Sequence, residues 1–308
     1  MTFPTVIANS DQLDDPGALN SWVQTHQSNL EAQLATSGAI LFRGFPIHSA
    51  EDFDQFAAAF GYGEFTYEES LSNAVRINLT PRVFTANEAP PDVEIYLHHE
   101  MAQTPIYPRK IFFCCLSAAA EGGATPLCRS DLLWADFKSK WPDAAATFQA
   151  RGLKYTTAMP DDNDINSGQG RSWRSTLSVA NSAAAEARLQ ELNYSWEWTD
   201  TGALLATTPA LPAVKQLGDG SEAFFNQVIA AHRGWKREIN RQSVLRFGDD
   251  SEIPTEWLDS LAELAKEHTV ALDWQDGDIA LVDNFRTMHG RYPYSGDRKR
   301  QVVVCLAR

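Results

Sequence analysis

Apolar positions along the chain recur at two spacings, and the spacings divide it into helices and strands. Residues 17–34 carry Leu19, Trp22, Val23, Leu30 and Leu34 at roughly helical intervals with no internal glycine, which predicts an amphipathic helix. The unbroken run from Ala39 to Phe45 predicts a buried strand closed by a glycine turn. Ser49 is then a candidate N-cap for a helix through Phe60, with Phe53, Phe56, Ala57 and Phe60 as its apolar stripe. Asp52 stands where a capping box usually has Glu or Gln, so the box is expected to be imperfect. Residues 131–137 and 254–267 predict further helices. Residues 73–91 read as short strands and turns. Strands are expected at 95–101, 111–116, 126–128, 194–199, 224–228, 244–247, 279–282 and 301–306.

Residues 142–212 break this rhythm. Two helical patches, 144–150 and 183–192, flank a polar loop at 160–170, a pattern that suits an active-site lid and a disordered insertion equally well. No internal repeat or low-complexity linker divides the chain. The expectation is one domain over residues 1–308, mainly β with peripheral helices, built as a jelly-roll-like sandwich or barrel.

Composition narrows the partners. A chain of 308 residues with 44% hydrophobic and 21% charged residues is of ordinary soluble globular type. A formal net charge of -14 argues against nucleic acid or an anionic membrane as partner, because both need a basic footprint. No apolar run approaches the roughly 20 residues of a membrane span. The N-terminal stretch lacks the basic and apolar regions of a secretory signal. Cys114, Cys115, Cys128 and Cys305 form no CxxC pair and suit buried free thiols, so a cytoplasmic location is expected.

The chemistry concentrates between Tyr96 and Pro126. On a strand, residues i and i+2 share a face, so His98 and Glu100 could supply two adjacent corners of a metal's coordination sphere. A lone His-x-Glu is more often the solvated face of a hairpin. The remote His289, at the end of the predicted 279–282 strand, raises the odds: two histidines and one carboxylate make the facial triad of non-haem Fe(II) sites. His26 and His48 lack a nearby acid of ligand type, and His268 follows a helix end where a cation suits the dipole. Iron held by three ligands needs a co-substrate to activate O2. The usual one, 2-oxoglutarate, chelates through its keto and C1 carboxylate groups, and its far carboxylate needs a cation with fork geometry. Arg298 and Arg300 are the candidates, with a solubilising strand edge as the plainer reading of both. Thr125 is the candidate hydroxyl beside them.

Several blocks then resemble one family in order along most of the chain. They are GAILFRGF (residues 38–45) with its following helix, VFTANEAPPDVEIYLHHEM running to GGATPL, GRSW, FFNQV and WQDGDIALVDN with HGR. The chain resembles the TauD/TfdA-type Fe(II)/2-oxoglutarate-dependent dioxygenases, in particular a SyrP-like branch. The resemblance implies a double-stranded β-helix (a cupin-like jelly roll), His98, Glu100 and His289 as iron ligands, and Thr125 with Arg300 around 2-oxoglutarate. Arg298 is the alternative where the loop is shorter. His99 and Ala102-Gln103 depart from the branch, which often has Asn and Ser-Tyr there, so the substrate is not carried across. Glu100 keeps a carboxylate at the metal, unlike the halogenating relatives.

The implied activity is oxidation of an unactivated C–H bond in a small substrate, with release of succinate and CO2. The leading class is an amino acid or amino-acid-derived specialised metabolite, free or presented by a carrier protein. The alternative is catabolism of a small anion of sulfonate or aryloxyacetate type, with Arg291 or the unused member of Arg298 and Arg300 as extra cation. A non-catalytic jelly-roll binding protein is the third reading.

Overall fold

A computed structural model describes residues 2–86, 89–164, 170–235, 238–239 and 242–308. Its largest sheet has six strands in the order Thr5–Ala8, Ala39–Arg43, Ile279–Asp283, Lys110–Ser117, Gln301–Ala307 and Val83–Thr85. The first pair is parallel and the others are antiparallel. The apolar runs of its four inner strands are buried on both faces, and their period of two sorts them between two cores. Phe112, Cys114, Ile40, Phe42, Ile279, Leu281 and Val303 point one way, into a core shared with Leu19, Val23, Phe53, Phe56 and Phe60 of two helices. Ile111, Phe113, Cys115, Ala280, Val282, Val302 and Val304 point the other way and meet Leu127 and Leu272 of a second sheet.

Those helices are Pro16–Ser37 and Ala50–Ala59. Asp15 caps the first, and Gly38, at φ 85, ends it in the left-handed conformation that glycine adopts without strain. The second carries a complete capping box. Ser49 Oγ accepts from Asp52 N at 3.1 Å, and Asp52 Oδ2 accepts from Ser49 N at 3.0 Å. The shorter Asp therefore closes the box that the sequence pattern rated imperfect.

The second sheet is ordered Thr269–Leu272, Thr125–Arg129, Thr287–Arg291 and Ile95–His98, all antiparallel. It carries His98, His289 and Thr125. A third sheet, Leu245–Phe247, Leu153–Met159, Leu204–Thr207 and Ser195–Trp198, takes three of its four strands from the 142–212 region. That region is ordered structure, with helices Pro142–Arg151, Trp173–Leu177 and Ser182–Glu191; residues 165–169 of the polar loop lie outside the described residues.

Three sequence expectations change. The architecture mixes sheets with eight helices among the described residues, more than a mainly-β chain with helices at its rim. No strand runs over 224–228: Phe224 to Gln227 are buried without alternation, and a helix, Val228–Gly234, takes over the apolar run Val228-Ile229-Ala230-Ala231. The strand expected to reach Met101 stops at His98. Glu100 thus lies in a turn, with Met101 at φ 59 just beyond it.

Candidate metal centre

The register of the second sheet sets His289 directly opposite His98, and their ring centroids are 4.4 Å apart. Glu100 reaches them from the turn. Its Oε2 lies 3.3 Å from His289 Nε2 and 4.0 Å from His98 Nε2. One ligand-type atom from each residue falls within 4.8 Å of the others, the one such group among the described residues. Strand alternation is therefore not what brings His98 and Glu100 together. Asn284 does, by accepting from Glu100 N at 2.8 Å while its amide donates to Glu100 O at 3.0 Å and Pro108 O at 2.8 Å.

The local hydrogen bonds suit metal binding. His98 Nδ1 lies 2.8 Å from Tyr96 O, so that nitrogen carries the proton and Nε2 keeps its lone pair toward Glu100. Burial holds the His98 ring down to about 4, helped by the neighbouring His289. Burial alone would raise the Glu100 carboxyl, but Arg76 and His289 outweigh it and bring the group to about 2. Arg76 Nη2 donates to Glu100 Oε1 at 3.2 Å, and its guanidinium lies 5.6 Å from the centroids of both the Tyr67 and Phe84 rings. Nothing in the sequence marked Arg76. It follows an irregular stretch held by Arg171 of the GRSW block, which donates to backbone oxygens of Tyr67, Ser70 and Ser72.

His99, in the turn beyond the strand, points away from this cluster. It is fully buried, with Nδ1 2.5 Å from Asn284 O and Nε2 3.1 Å from Phe224 O. The FFNQV block braces the same turn: Asn226 O accepts from His99 N at 3.3 Å, and Gln227 Nε2 donates to His99 O at 3.0 Å.

His98, Glu100 and His289 line one pocket together with Arg76, Thr125 and Arg300. Arg300 is led there by the GG turn. Gly123, at φ +73, lets the arginine lie flat on the backbone, since a Cβ would stand 2.9 Å from Arg300 Cδ. Arg300 Nε donates to Gly123 O at 2.9 Å. Burial, with Arg291 nearby, lowers the guanidinium to about 10. Arg298 instead faces solvent and pairs with Asp276. Arg291 borders the cavity but donates to Ala89 O, Pro90 O and Val93 O at 2.6–2.9 Å. Gln103 lies outside this space, in a separate cavity of about 360 Å³ lined also by Thr176, Tyr194 and Thr208.

Comparison with known proteins agrees with the class of enzyme that this fold and donor set suggest, a 2-oxoglutarate-dependent non-haem Fe(II) dioxygenase using O2. The family described as "Taurine catabolism dioxygenase TauD, TfdA family" matches residues 7–306, and the chain belongs to it. A clavaminate synthase-like protein of Arabidopsis thaliana is 36% identical over 286 residues, covering 92% of this chain and 86% of the relative. The dapdiamide synthesis protein DdaC of Enterobacter agglomerans is 25% identical over 283 residues, covering 88% and 83%. Among solved structures, a taurine dioxygenase from Burkholderia xenovorans superposes with a TM-score of 0.51 at 16% identity, covering 92% of this chain and 82% of that one. AAD-2 in complex with Mn(II) and N-oxalylglycine gives a TM-score of 0.51 at 15% identity, covering 100% and 95%. At such identities the structural likeness speaks to the fold. Among the described residues, no helix is long and apolar enough to cross a membrane.

Proposed function

We propose that His98, Glu100 and His289 hold the iron, that Arg300 and Thr125 hold the far carboxylate of 2-oxoglutarate, and that the enzyme oxidises a C–H bond of an amino acid or amino-acid-derived metabolite, free or carrier-bound. The observation that carries the reading is the convergence of two imidazoles and one carboxylate in the cavity that also receives Arg300 and Thr125. The donor set fits Fe(II): two ring nitrogens and a carboxylate oxygen, largely buried, with the His98 tautomer fixed by Tyr96 O. The two sheets sharing one core suit a double-stranded β-helix, and the 142–212 region is read as an insertion within a single 1–308 domain.

When bound, the iron would activate O2, which is the oxidant, with 2-oxoglutarate as the two-electron reductant: one oxygen atom would end in succinate as CO2 leaves and the other in the substrate. The chain's part is orientation and exclusion. Arg300 presents its guanidinium to a carboxylate from a fixed position against Gly123. Arg76 pins one oxygen of Glu100, leaving the other toward the histidines. Phe113, whose ring centroid is 5.0 Å from that of His289, gives the cavity an apolar wall that keeps water from the reacting groups.

The names of two curated relatives, clavaminate synthase-like and dapdiamide synthesis, favour a biosynthetic substrate over a catabolic one. The cations invoked for a small sulfonate or aryloxyacetate are also engaged elsewhere, Arg291 by backbone carbonyls and Arg298 by Asp276. The test is anaerobic addition of Fe(II) and 2-oxoglutarate, followed by a substrate panel of free amino acids, carrier-tethered amino acids, sulfonates and aryloxyacetates. A visible absorption band and succinate release stoichiometric with one oxidised amino-acid substrate are expected. Iron-dependent turnover surviving in Glu100→Ala would sink the ligand assignment, and coupled turnover of the anions alone would sink the substrate class.

A further inference from the structure

The segment Trp274-Gln275-Asp276-Gly277-Asp278 precedes the Ile279–Asp283 strand and contributes no residue to the candidate metal cluster, yet it touches several segments near Thr125 and Arg300. Asp276 Oδ1 accepts from Ala118 N at 2.9 Å, and its other oxygen takes Arg298, two residues before Arg300. Asp278 Oδ2 accepts from Gln275 N at 2.9 Å and binds Arg43. Gly277 N donates to Cys115 O at 2.8 Å. The backbone of the turn is thus held from several sides, and the indole of Trp274 projects from it toward the Thr125–Arg129 strand. There Trp274 Nε1 donates to Thr125 Oγ1 at 2.9 Å.

A threonine hydroxyl has one proton to give and two lone pairs to receive. An indole N–H only donates, so the Trp274 contact consumes a lone pair of Thr125 and turns the O–H bond away from the indole. Thr125 is 3% exposed and lines the cavity beside Arg300. Among the described residues its proton has no protein acceptor. We infer that Trp274 is a positioning residue that fixes the direction of the Thr125 O–H bond, so that Thr125 offers a hydrogen and not a lone pair to the carboxylate held by Arg300. Without the indole N–H the hydroxyl rotates freely, and one of its orientations sets oxygen lone pairs against the anion. The role rests on the proposed co-substrate contacts of Thr125 and Arg300.

A double-mutant cycle read by calorimetry tests it, with full-length protein, Mn(II) as metal and 2-oxoglutarate or N-oxalylglycine as ligand. Trp274→Phe keeps an aromatic ring, smaller than the indole, and removes the donor; Thr125→Val removes the hydroxyl. Trp274→Phe is expected to weaken 2-oxoglutarate binding about threefold to tenfold, the scale of one misdirected hydrogen bond. In the Thr125→Val background the same change should have no further effect, and Mn(II) affinity should be unaltered throughout. Unchanged 2-oxoglutarate affinity in Trp274→Phe, additive losses in the double variant, or a parallel loss of Mn(II) binding would each overturn the inference. Wild-type protein that binds Mn(II) but not 2-oxoglutarate would overturn the co-substrate reading itself, and this role with it.

A second measurement does not depend on the Phe variant folding. In wild-type protein carrying 15N-tryptophan and Zn(II), the Trp274 indole signal is the one displaced by Thr125→Val. It should move on adding 2-oxoglutarate, because a hydroxyl that donates to an anion becomes a stronger acceptor. A stationary signal at saturation overturns the inference.

Discussion

Arg76 Nη2 stands 3.2 Å from Glu100 Oε1, while the other oxygen of that carboxylate faces His289. Both partners are buried, with side chains 8% and 6% exposed. Removing one member of such a pair leaves the other charge without compensation. Arg76→Leu is therefore expected to destabilise the metal-free protein by about 3 kcal/mol. Urea unfolding measures this, and adding Glu100→Gln to Arg76→Leu should cost less than the sum of the two single changes.

The three histidines of this region should separate by assay. His98→Ala and His289→Ala are expected to fold and to lose Mn(II) affinity by at least about 100-fold, beyond what outer contacts usually cause. His99→Ala should do the reverse. It opens a cavity and strips one of two buried carbonyls, Asn284 O or Phe224 O, of the single N–H that the neutral ring carries, so a loss of about 2–4 kcal/mol in stability is expected. The folded fraction should still bind metal, as titration calorimetry at low temperature would report.

Arg300 and Arg298 differ by two positions and should differ in function. Arg300→Ala removes the buried guanidinium and is expected to weaken 2-oxoglutarate binding about 100-fold. Arg298→Ala breaks a solvent-exposed pair with Asp276, which is worth little, and should change that affinity by less than about twofold. Equal losses in the two variants would contradict the placement.

Gly123→Ala attacks the same arginine from below. The new methyl would stand 2.9 Å from Arg300 Cδ on a backbone at φ +73, so the guanidinium must shift. A rise of about tenfold in the KM for 2-oxoglutarate is expected, with Mn(II) affinity retained, because misplacing a binding group by about 1 Å costs up to about 100-fold.

The four thiols give a pH signature. Burial pushes Cys115, Cys128 and Cys305 up to about 12 and Cys114 well above the ordinary value of 9.0. Above that ordinary value the unfolded chain releases thiol protons that the folded chain keeps, so the folded state binds more protons and stability falls as pH rises. The decline should run from about pH 9 toward pH 12, at up to about 1.4 kcal/mol per pH unit for each thiol. Native protein should resist a thiol reagent at pH 8, and all four cysteines should react once it is unfolded.

Much of this molecule was legible in the order of its residues, for identifiable reasons. The four inner strands of the largest sheet are buried on both faces, so their apolar runs announce them, whereas the half-exposed edge strand Thr5–Ala8 carries no run of that length. Gly122-Gly123 advertises a backbone that only glycine adopts freely, and Arg300 lies against it. What escaped was set by distant contacts. Leu153–Met159 and Leu204–Thr207 carry mixed side chains and become strands through pairing with each other and with Leu245–Phe247 and Ser195–Trp198. Phe224 and Phe225 have strong β propensity, but Asn226 and Gln227 bind backbone groups that a ladder would otherwise occupy. Arg76 had no local signature, because its partner lies 24 residues on and its approach path is held by Arg171.

The pairing of His98 with His289 has a temporal side. A ribosome delivers His98 and Glu100 long before His289, and the strand bearing His289 pairs with both Ile95–His98 and Thr125–Arg129. A nascent chain therefore displays two isolated donors and no pocket for most of its synthesis. The full set of three donors can thus exist only after most of the chain has been made.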